Sequence, residues 1–375
     1  MNELFKKAIA DGASDIHIKA GDFVRARVDG ELTPLTDQKI SHAQVRELAL
    51  KLIPHEHDRA RVDEIMDYDC AWGLPGLGRF RITILKQCGV LSIVMRTIPL
   101  EIPTFADLRL PPVLEKIANF ERGLILVTGV TGSGKSSTMA AIIGYINRNM
   151  KKHIITLENP IEFLHRDLNS SVTQRDVGFD TESFSSGLRA GLRQDPDVML
   201  IGEMRDKATI DTALKAAETG HLVISTVHTK NAVQTLSRLI AEFRPEEQGI
   251  VRGRIADSVQ AVISQRLLPT ASEQSGRVVA VEVMLVTGTI RDCIIDPERM
   301  EEIIDLIHEG REQYGSQTFD QHLMELVERG MVEFELAKAA SNSPSDFDLK
   351  MNILAGTGPG DQAAKSGSEI GGFTT

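Results

Sequence analysis

The first part of the chain alternates apolar and polar residues in a way that is typical of β-strands. A short amphipathic helix is expected over residues 2–12, because apolar residues recur at helical intervals up to a glycine. Alternating residues follow, and Asp29-Gly30 is a strong turn signal. A second helix is expected from about Ser41. Three further strands are predicted at Tyr68–Trp72, Arg79–Leu85 and Leu91–Ile98.

The middle of the chain has a different pattern, in which short apolar strands alternate with helices. Strands are predicted at Leu124–Thr128, His153–Leu157, Val198–Ile201 and Leu222–Thr226. Helices lie between and after them, and one is expected over Ala208–Thr219. This alternation predicts a largely parallel sheet with helices on both faces, as in a RecA-like nucleotide-binding domain.

Together these patterns predict an α/β protein with two domains. An N-terminal α+β domain with an antiparallel sheet is expected over residues 1–98, and prolines mark a linker over 99–112. The RecA-like domain, with a helical C-terminal extension, is expected over 113–354. In that extension, Thr318 opens a helix with capping-box spacing. Residues 355–375 are rich in small residues and lack periodicity, so we expect them to be disordered.

The stretch Gly129–Ser136 reads GVTGSGKS and lies between a predicted strand and a predicted helix. Its glycines allow backbone N–H groups to point at a phosphate, and the helix directs its positive end to the same place. Lys135 can reach the β- and γ-phosphates, and Ser136 can ligate Mg²⁺. The flanking strand and helix favour a P-loop over a plain glycine-rich turn, so the chain is predicted to bind a nucleoside triphosphate. The predicted nucleotide contacts are Gly129, Thr131, Gly132, Ser133, Gly134, Lys135, Ser136 and Ser137.

Acidic residues after two strands are predicted to complete a hydrolytic site. Glu203 ends an apolar strand in the manner of a Walker B element, where it would act on Mg²⁺ through nucleotide and water. The alternative is a solvated acid at a strand end. Glu158 follows another strand and is predicted to orient the attacking water, with Glu162 in support. The alternative for that stretch is a charged turn, since Asn159-Pro160 marks one.

Two histidines and three arginines are further candidates. His221 and His228 flank the last predicted strand of the parallel sheet. Lone histidines are commonly packing or surface residues, and zinc would need more ligands, so we expect phosphate sensing or a hydrogen bond to a catalytic acid. Arg79, Arg81 and Arg96 alternate with apolar residues and so share one sheet face. That face can be merely solvated, or its arginines can reach a neighbouring subunit's γ-phosphate and make hydrolysis depend on assembly.

Composition argues against nucleic-acid binding and against direct membrane insertion. The 375 residues suffice for two domains with full cores, and the formal net charge of −11 argues against broad nucleic-acid binding. An aromatic fraction of 5% offers no stacking platform for single strands. The sequence has neither an apolar run of transmembrane length nor a signal-peptide core, and its three cysteines are far apart. We therefore expect a cytoplasmic protein that binds no nucleic acid and meets a membrane only through a partner.

These motifs resemble those of the type IV pilus retraction ATPases, the PilT/PilU group of the secretion ATPases. The resemblance extends over about residues 1–353. Its landmarks, in family order and at family-like spacing, lie at residues 12–17, 78–81, 128–137, 158–163, 202–206 and 218–221.

The resemblance implies more than the residue patterns do. It implies a PAS-like N-terminal domain and a homohexameric ring that uses ATP and Mg²⁺ to retract pili. It places this ring beneath an inner-membrane platform protein similar to PilC. It assigns Glu158 to the aspartate box, Glu203 to Walker B, and His221 and His228 to the histidine box. It also makes the three arginines of the first domain similar to those that approach nucleotide at subunit boundaries.

Within this group the chain resembles PilU more than PilT, over residues 172–183 and 317–346. The retraction motif usually reads Ala-Ile-Arg-Asn but is Thr289-Ile290-Arg291-Asp292 here, and Asn159 stands where the family usually has Asp. These departures favour an accessory retraction role beside a PilT-type ring. One alternative is a pilus assembly or type II secretion ATPase, although such relatives usually carry a four-cysteine zinc element. Another is a nucleotide-binding regulatory subunit of a partner motor ring.

Overall fold

The structure is a computed structural model that describes residues 2–28, 30–74, 78–98, 101–271 and 276–354. Asp29 of the predicted turn and the predicted disordered tail over 355–375 lie outside these described residues. The chain divides into two compact units. The first comprises Met1–Ile102 and Pro160–Arg166, and the second comprises Pro103–Asn159 and Asp167–Thr375.

This division differs in two places from the domains that the sequence indicates. Residues 103–112, which the sequence analysis assigned to a linker, belong to the second unit. Residues 160–166, expected within the RecA-like domain, belong to the first unit.

The first unit is built on a six-stranded antiparallel sheet with the order β3-β2-β1-β6-β5-β4. The strands are β1 Asp15–Lys19, β2 Phe23–Val28, β3 Glu31–Lys39, β4 Asp67–Leu74, β5 Gly78–Gln87 and β6 Val90–Ile98. The helices are α1 Asn2–Ala10, α2 His42–Leu52 and α3 Glu56–Ala60, with a 3₁₀ turn at Val62–Glu64. This arrangement confirms the predicted α+β class of the N-terminal region.

Alternation along β5 explains how this sheet divides its residues between two faces. Phe80, Ile82 and Ile84 are fully buried in a core shared with α1 and α2, whereas Arg81 between them is exposed. Successive side chains of a strand point to opposite faces, so the arginine lies on the face away from the core.

The second unit contains a seven-stranded sheet with the order β13-β12-β7-β11-β10-β8-β9. Its strands are β7 Gly123–Gly129, β8 His153–Glu158, β9 Ser171–Asp176, β10 Val198–Ile201, β11 Leu222–Val227, β12 Val259–Pro269 and β13 Arg277–Leu285. All neighbours are parallel except β12 and β13. The predicted largely parallel sheet is therefore confirmed, and the four predicted strands are its four central members β7, β11, β10 and β8.

Helices cover both faces of this sheet and continue beyond it. They are α4 Val113–Ala118, α5 Lys135–Asn149, α6 Phe184–Gly191, α7 Lys207–Glu218, α8 Ala232–Ala241, α9 Pro245–Ser258, α10 Gly288–Ile295, α11 Ile303–Glu309, α12 Arg311–Tyr314, α13 Phe319–Glu328, α14 Phe334–Ala340 and α15 Pro344–Leu354, with a 3₁₀ turn at Pro297–Glu302. One apolar core contains residues of α7 to α11, and a second contains residues of α4 and α5. The predicted capping box of α13 is present, since the Thr318 hydroxyl accepts a hydrogen bond from the Gln321 backbone.

Candidate nucleotide-binding site

The predicted P-loop, Gly129–Ser136, connects β7 to α5 in the middle of the parallel sheet. All seven residues of β7 are buried, so the strand holds the start of the loop firmly. Gly132 and Gly134 have φ angles of 81° and 92°, in the left-handed region that favours glycine. Helix α5 begins at Lys135 and runs for 15 residues. Its first N–H groups and the positive end of its dipole therefore face the loop.

Gly129 is the most tightly packed position of this loop. Its φ is 144°, and a Cβ atom placed there would lie 2.4 Å from Ser133 Oγ and 2.7 Å from the Gln265 carbonyl oxygen. No side chain fits without moving backbone, because real Cβ atoms do not approach that closely. Glycine at this position allows the loop to close against β12.

Lys135 and Ser133 supply the polar interior of the loop. The Lys135 ammonium donates hydrogen bonds to the carbonyl oxygens of Gly129 and Val130, at 2.9 and 3.0 Å. Ser133 is 2% exposed, and its hydroxyl has no hydrogen-bond partner among the described residues. Buried polar groups are normally satisfied, so this hydroxyl indicates a place for a missing polar ligand. The other predicted contacts are more accessible: Thr131 and Gly132 are exposed, whereas Gly134, Ser136 and Ser137 are half-buried.

Glu203 and His228 meet beyond the carboxyl ends of two neighbouring parallel strands, β10 and β11. His228 Nε2 lies 3.6 Å from Glu203 Oε2, and Arg205 Nε lies 2.7 Å from the same oxygen. Burial and the charge of Lys135 lower the pKa of His228, although Glu203 acts to raise it. The imidazole is therefore neutral at neutral pH. Lys135, Glu203 and His228 belong to one electrostatically connected site.

Glu158 is the last residue of β8, on the other side of β10. Its half-buried carboxylate accepts hydrogen bonds from Thr156 Oγ1 at 2.6 Å and from Gln174 Nε2 at 3.1 Å. These donors hold the carboxylate at the carboxyl ends of the parallel strands, where the P-loop also begins. Asn159, which follows, is exposed. Glu162 is also exposed and belongs to the segment grouped with the first unit.

The two candidate histidines lie at opposite ends of strand β11. The carbonyl oxygen of His221 accepts a hydrogen bond from Gly123, the first residue of β7. The His221 Nδ1 atom lies 3.0 Å from the Ala216 carbonyl oxygen and 3.1 Å from Thr219 Oγ1. The length of β11 separates the two histidines, about 20 Å at the usual rise per residue. The structure brings His228 close to Lys135 of the P-loop and does not bring His221 there.

The three candidate arginines lie in the first unit on one face of its sheet. Arg81 and Arg96 are register partners on β5 and β6, and Arg79 lies two residues before Arg81. Arg96 Nε is 2.9 Å from an Asp15 carboxylate oxygen. Burial acts to raise the pKa of Asp15, but hydrogen bonds, chiefly from Arg96, outweigh it and lower that pKa. The Arg81 guanidinium, by contrast, makes no hydrogen bond or ion pair with any other described residue.

Two glutamines of the second unit make contacts that the sequence patterns do not predict. Gln174 lies on β9 and bonds Glu158. Gln265 lies on β12, is 1% exposed, and donates through Nε2 to Thr138 Oγ1 at 2.7 Å. It is also the register partner of Gly129, so it ties both the loop and α5 to β12. Neither strand was predicted, because β9 is polar and β12 follows a helix without a turn signal.

The described residues contain neither a ready cluster of metal ligands nor a membrane-spanning helix. In these ranges no group of three or more His, Cys, Asp or Glu side chains is placed to hold a metal ion. No helix in the same ranges is both long and apolar enough to cross a bilayer.

The sequence as a whole matches known pilus proteins. Residues 1–338 match the model of the type II/IV secretion system protein family. The type IV pilus retraction ATPase PilT of Pseudomonas aeruginosa is 39% identical over 347 residues, which cover 92% of this chain and 99% of PilT. The type IV pilus ATPase PilU of the same organism is 38% identical over 353 residues, which cover 94% of this chain and 91% of PilU. Since these identities are nearly equal, the closer resemblance to PilU stays a prediction.

A solved structure gives the same picture of the fold. The crystal structure of the pilus retraction motor PilT with bound ADP matches with a TM-score of 0.84 and 41% sequence identity. The match covers 92% of this chain and 97% of the PilT chain. This agreement confirms the predicted fold class, an N-terminal α+β domain with an ATPase domain.

Proposed function

The chain belongs to the type II/IV secretion system protein family, among the PilT and PilU type IV pilus ATPases, and we propose that it is a motor that hydrolyses ATP to retract type IV pili. The observation that carries the proposal is the meeting of Lys135, Glu203 and His228 beside the P-loop. Relatives named for pilus retraction align over nearly the whole chain, which supports pilus retraction as the work performed.

In this proposal the P-loop holds the phosphates of ATP. The Lys135 ammonium, which now donates to two loop carbonyls, turns to the β- and γ-phosphates. The Ser133 hydroxyl, which lacks a hydrogen-bond partner among the described residues, gains an acceptor. Ser136 would ligate Mg²⁺ directly and Glu203 would hold it through water. Bound Mg²⁺ neutralises the charge that develops on the phosphates.

The hydrolytic step uses the acids at the carboxyl ends of β8 and β10. Glu158 orients the attacking water, and its own position is set by hydrogen bonds from Thr156 and Gln174. The water oxygen bonds to the γ-phosphorus while the bond to the β–γ bridging oxygen breaks, giving ADP and phosphate. The neutral imidazole of His228 can donate a hydrogen bond to Glu203 or to the γ-phosphate.

We further propose that the active form is a homohexamer in which Arg79, Arg81 and Arg96 of one subunit approach the nucleotide of another. Arg81 is exposed and its guanidinium has no partner among the described residues, which leaves it available. Arg96 is already ion-paired with Asp15, so we expect it to stabilise this face of the sheet more than to contact the nucleotide. The ring would act at the cytoplasmic side of the inner membrane through a PilC-like platform protein.

The proposed subtype is an accessory, PilU-like ATPase that works with a PilT-type ring. Its support is the altered retraction motif at residues 289–292, which lies on α10, and Asn159 in the aspartate box. Arg291 of that motif forms an ion pair with Asp257 on α9, its Nε lying 2.7 Å from the carboxylate. Both side chains are exposed, so the pair is a surface link between α10 and α9.

The proposal is tested by steady-state ATPase activity measured against protein concentration, with Glu158→Ala and Arg81→Ala beside the wild type. If arginines act across subunits, specific activity should rise with concentration as rings form, and Arg81→Ala should lose most of it. Glu158→Ala should be inactive at every concentration while still binding ATP.

Two results would contradict parts of this scheme. Specific activity that does not depend on assembly would rule out shared sites. Full activity of Glu158→Ala together with loss in Glu203→Ala would reverse the assignment of the catalytic acid. Complementation of a twitching-deficient strain that lacks its retraction ATPases, with and without a PilT-type protein, tests the accessory role.

A further inference from the structure

The second unit contains a cavity of about 350 Å³ that shares no residue with the P-loop. Its walls come from the residues before α4, from α12 and from α13. Leu110, Pro111, Pro112 and Val113 form an apolar side. The polar side carries three arginines, one glutamate and one histidine, at Arg109, Arg311, Arg329, Glu325 and His322. A concave site of this size, with one apolar wall and convergent polar groups, has the form of a small-molecule site.

The charge of this cavity is opposite to that of the chain. Three arginines face one glutamate, which leaves an excess of two positive charges in a protein whose net charge is −11. Glu325 is ion-paired with Arg311 and lies 3.8 Å from Arg329, so one carboxylate serves two guanidinium groups. The Arg109 guanidinium makes no ion pair with another described residue. The cavity therefore holds more cationic donors than its own acid can satisfy.

His322 adds a directed donor to this cationic wall. It is 4% exposed, and its Nδ1 accepts a hydrogen bond from the Val281 backbone N–H at 2.9 Å. Burial lowers the pKa of His322 to about 4, with help from Arg311 and Arg329, so the ring is neutral. Because Nδ1 accepts, the ring proton must be on Nε2. That N–H makes no hydrogen bond to another described residue, and the ring lines the cavity.

Neighbouring contacts hold this donor set in place. Gln317 is buried and donates through Nε2 to the Val281 carbonyl oxygen at 3.1 Å, so Val281 is bonded by two residues of the cavity wall. Arg109 has a φ of 53°, a left-handed conformation that a non-glycine residue adopts at an energetic cost. The hydrogen bonds to Val281 fix the His322 and Gln317 part of the wall.

We propose that this cavity binds a small phosphate-bearing anion. Planar guanidinium groups match phosphate oxygens in pairs, and a neutral imidazole N–H adds a donor without a charge of its own. The apolar wall of Leu110 to Val113 accommodates the uncharged part of such a molecule. A volume of about 350 Å³ fits a small molecule, so the ligand class is a small phosphorylated metabolite or inorganic polyphosphate of short length.

The test uses inorganic pyrophosphate as the probe and the full-length Lys135→Ala chain as the background, so that the P-loop no longer retains phosphate strongly. Equilibrium dialysis with radiolabelled pyrophosphate should show one bound molecule per chain. Arg109→Gln and Arg329→Gln should each weaken binding by about tenfold, the effect of losing one charge-assisted hydrogen bond. Both side chains are exposed, so these variants should fold, which circular dichroism checks.

Arg238→Gln is the matched control. Arg238 is 61% exposed and pairs with Glu242 at i,i+4, as the 67% exposed Arg329 pairs with Glu325, but it lies outside the cavity. The Arg238→Gln substitution removes one positive charge, as the cavity variants do, and should leave the affinity for pyrophosphate unchanged. Absence of pyrophosphate binding in the Lys135→Ala chain would overturn the proposal. So would equal weakening in the control and the two cavity variants, since binding would then reflect overall charge alone. Neither outcome depends on whether the protein hydrolyses ATP.

Discussion

The Nε2 atom of His228 lies 3.6 Å from the Glu203 carboxylate, and Lys135 is close enough to His228 to help lower the pKa of its ring. These residues come from the P-loop and from the ends of β10 and β11, which are parallel neighbours. Parallel strands end at one sheet edge, so three separate stretches of sequence meet there. The candidate site therefore exists because these parallel strands end side by side.

His228→Ala should lower kcat for ATP hydrolysis by about tenfold to a hundredfold, since a hydrogen bond to a charged group contributes about 1.5–3 kcal/mol. Nucleotide affinity should change less than kcat. His221→Ala is the matched control for nucleotide binding, because His221 lies at the far edge of the sheet and bonds Ala216. Stopped-flow binding of a fluorescent ATP analogue and steady-state turnover separate the two effects. Equal loss of nucleotide affinity in both variants would contradict the placement of His221.

Gly129→Ala should destabilise the protein by at least about 2 kcal/mol and abolish nucleotide binding. The new Cβ would lie 2.4 Å from Ser133 Oγ and 2.7 Å from the Gln265 carbonyl oxygen. Urea unfolding monitored by circular dichroism measures the stability change. Gly253→Ala, within α9 where nothing lies near the added Cβ, should instead stabilise by about 0.5–1 kcal/mol. A stable Gly129→Ala variant with normal ATP affinity would show that the loop is looser than its geometry indicates.

Arg81→Ala and Arg96→Ala should have different consequences although their side chains share a sheet face. Arg96→Ala leaves the buried Asp15 carboxylate without its ion pair and should cost about 1 kcal/mol in unfolding free energy. Arg81→Ala should leave stability unchanged or raise it slightly, because Arg81 and Arg96 are like charges in register. Thermal unfolding of both variants, at low and moderate salt, tests this. The prediction fails if Arg81→Ala is the less stable variant.

Glu282→Gln should raise the unfolding free energy at pH 7.5 by about 2 kcal/mol. Burial raises the pKa of Glu282 to about 6, although its carboxylate accepts hydrogen bonds from Ala232 N at 2.8 Å and Ser264 Oγ at 3.3 Å. Glutamine retains an acceptor oxygen without the buried charge.

Because the pKa of Glu282 is raised on folding, the free energy of unfolding depends on pH. Between pH 4.5 and about 6 the folded form holds a proton at Glu282 that the unfolded chain releases, so wild-type stability falls as pH rises through this window. The stability gap between Glu282→Gln and the wild type should therefore be small near pH 4.5 and reach its full size above about pH 6. Denaturant titrations across this range measure the gap. The lowered pKa of His322 affects both proteins alike and cancels. A gap that is constant with pH would assign the effect to packing.

Much of the second unit could be predicted from local patterns alone. Strands β7, β8, β10 and β11 are buried on both faces, so each reads as a short apolar run, and each predicted boundary lies within one residue of the observed one. The P-loop also is a local feature, since its glycines, lysine and helix are consecutive. Strand β9 was missed because an edge strand of polar residues lacks that apolar run.

The sequence by itself determined the P-loop, the acids that follow two strands, and the shared face of Arg79 and Arg81, because each depends on spacing within one short segment. Arg96 joins that face through the register of β5 and β6. Only the tertiary structure placed His228, and not His221, beside Lys135 and Glu203, since that depends on the position of β11 between β7 and β10. It also decided that Gln174 bonds Glu158 and that Gln265 pairs with Gly129. Strand order and register bring together residues far apart in sequence, and no local periodicity records that pairing.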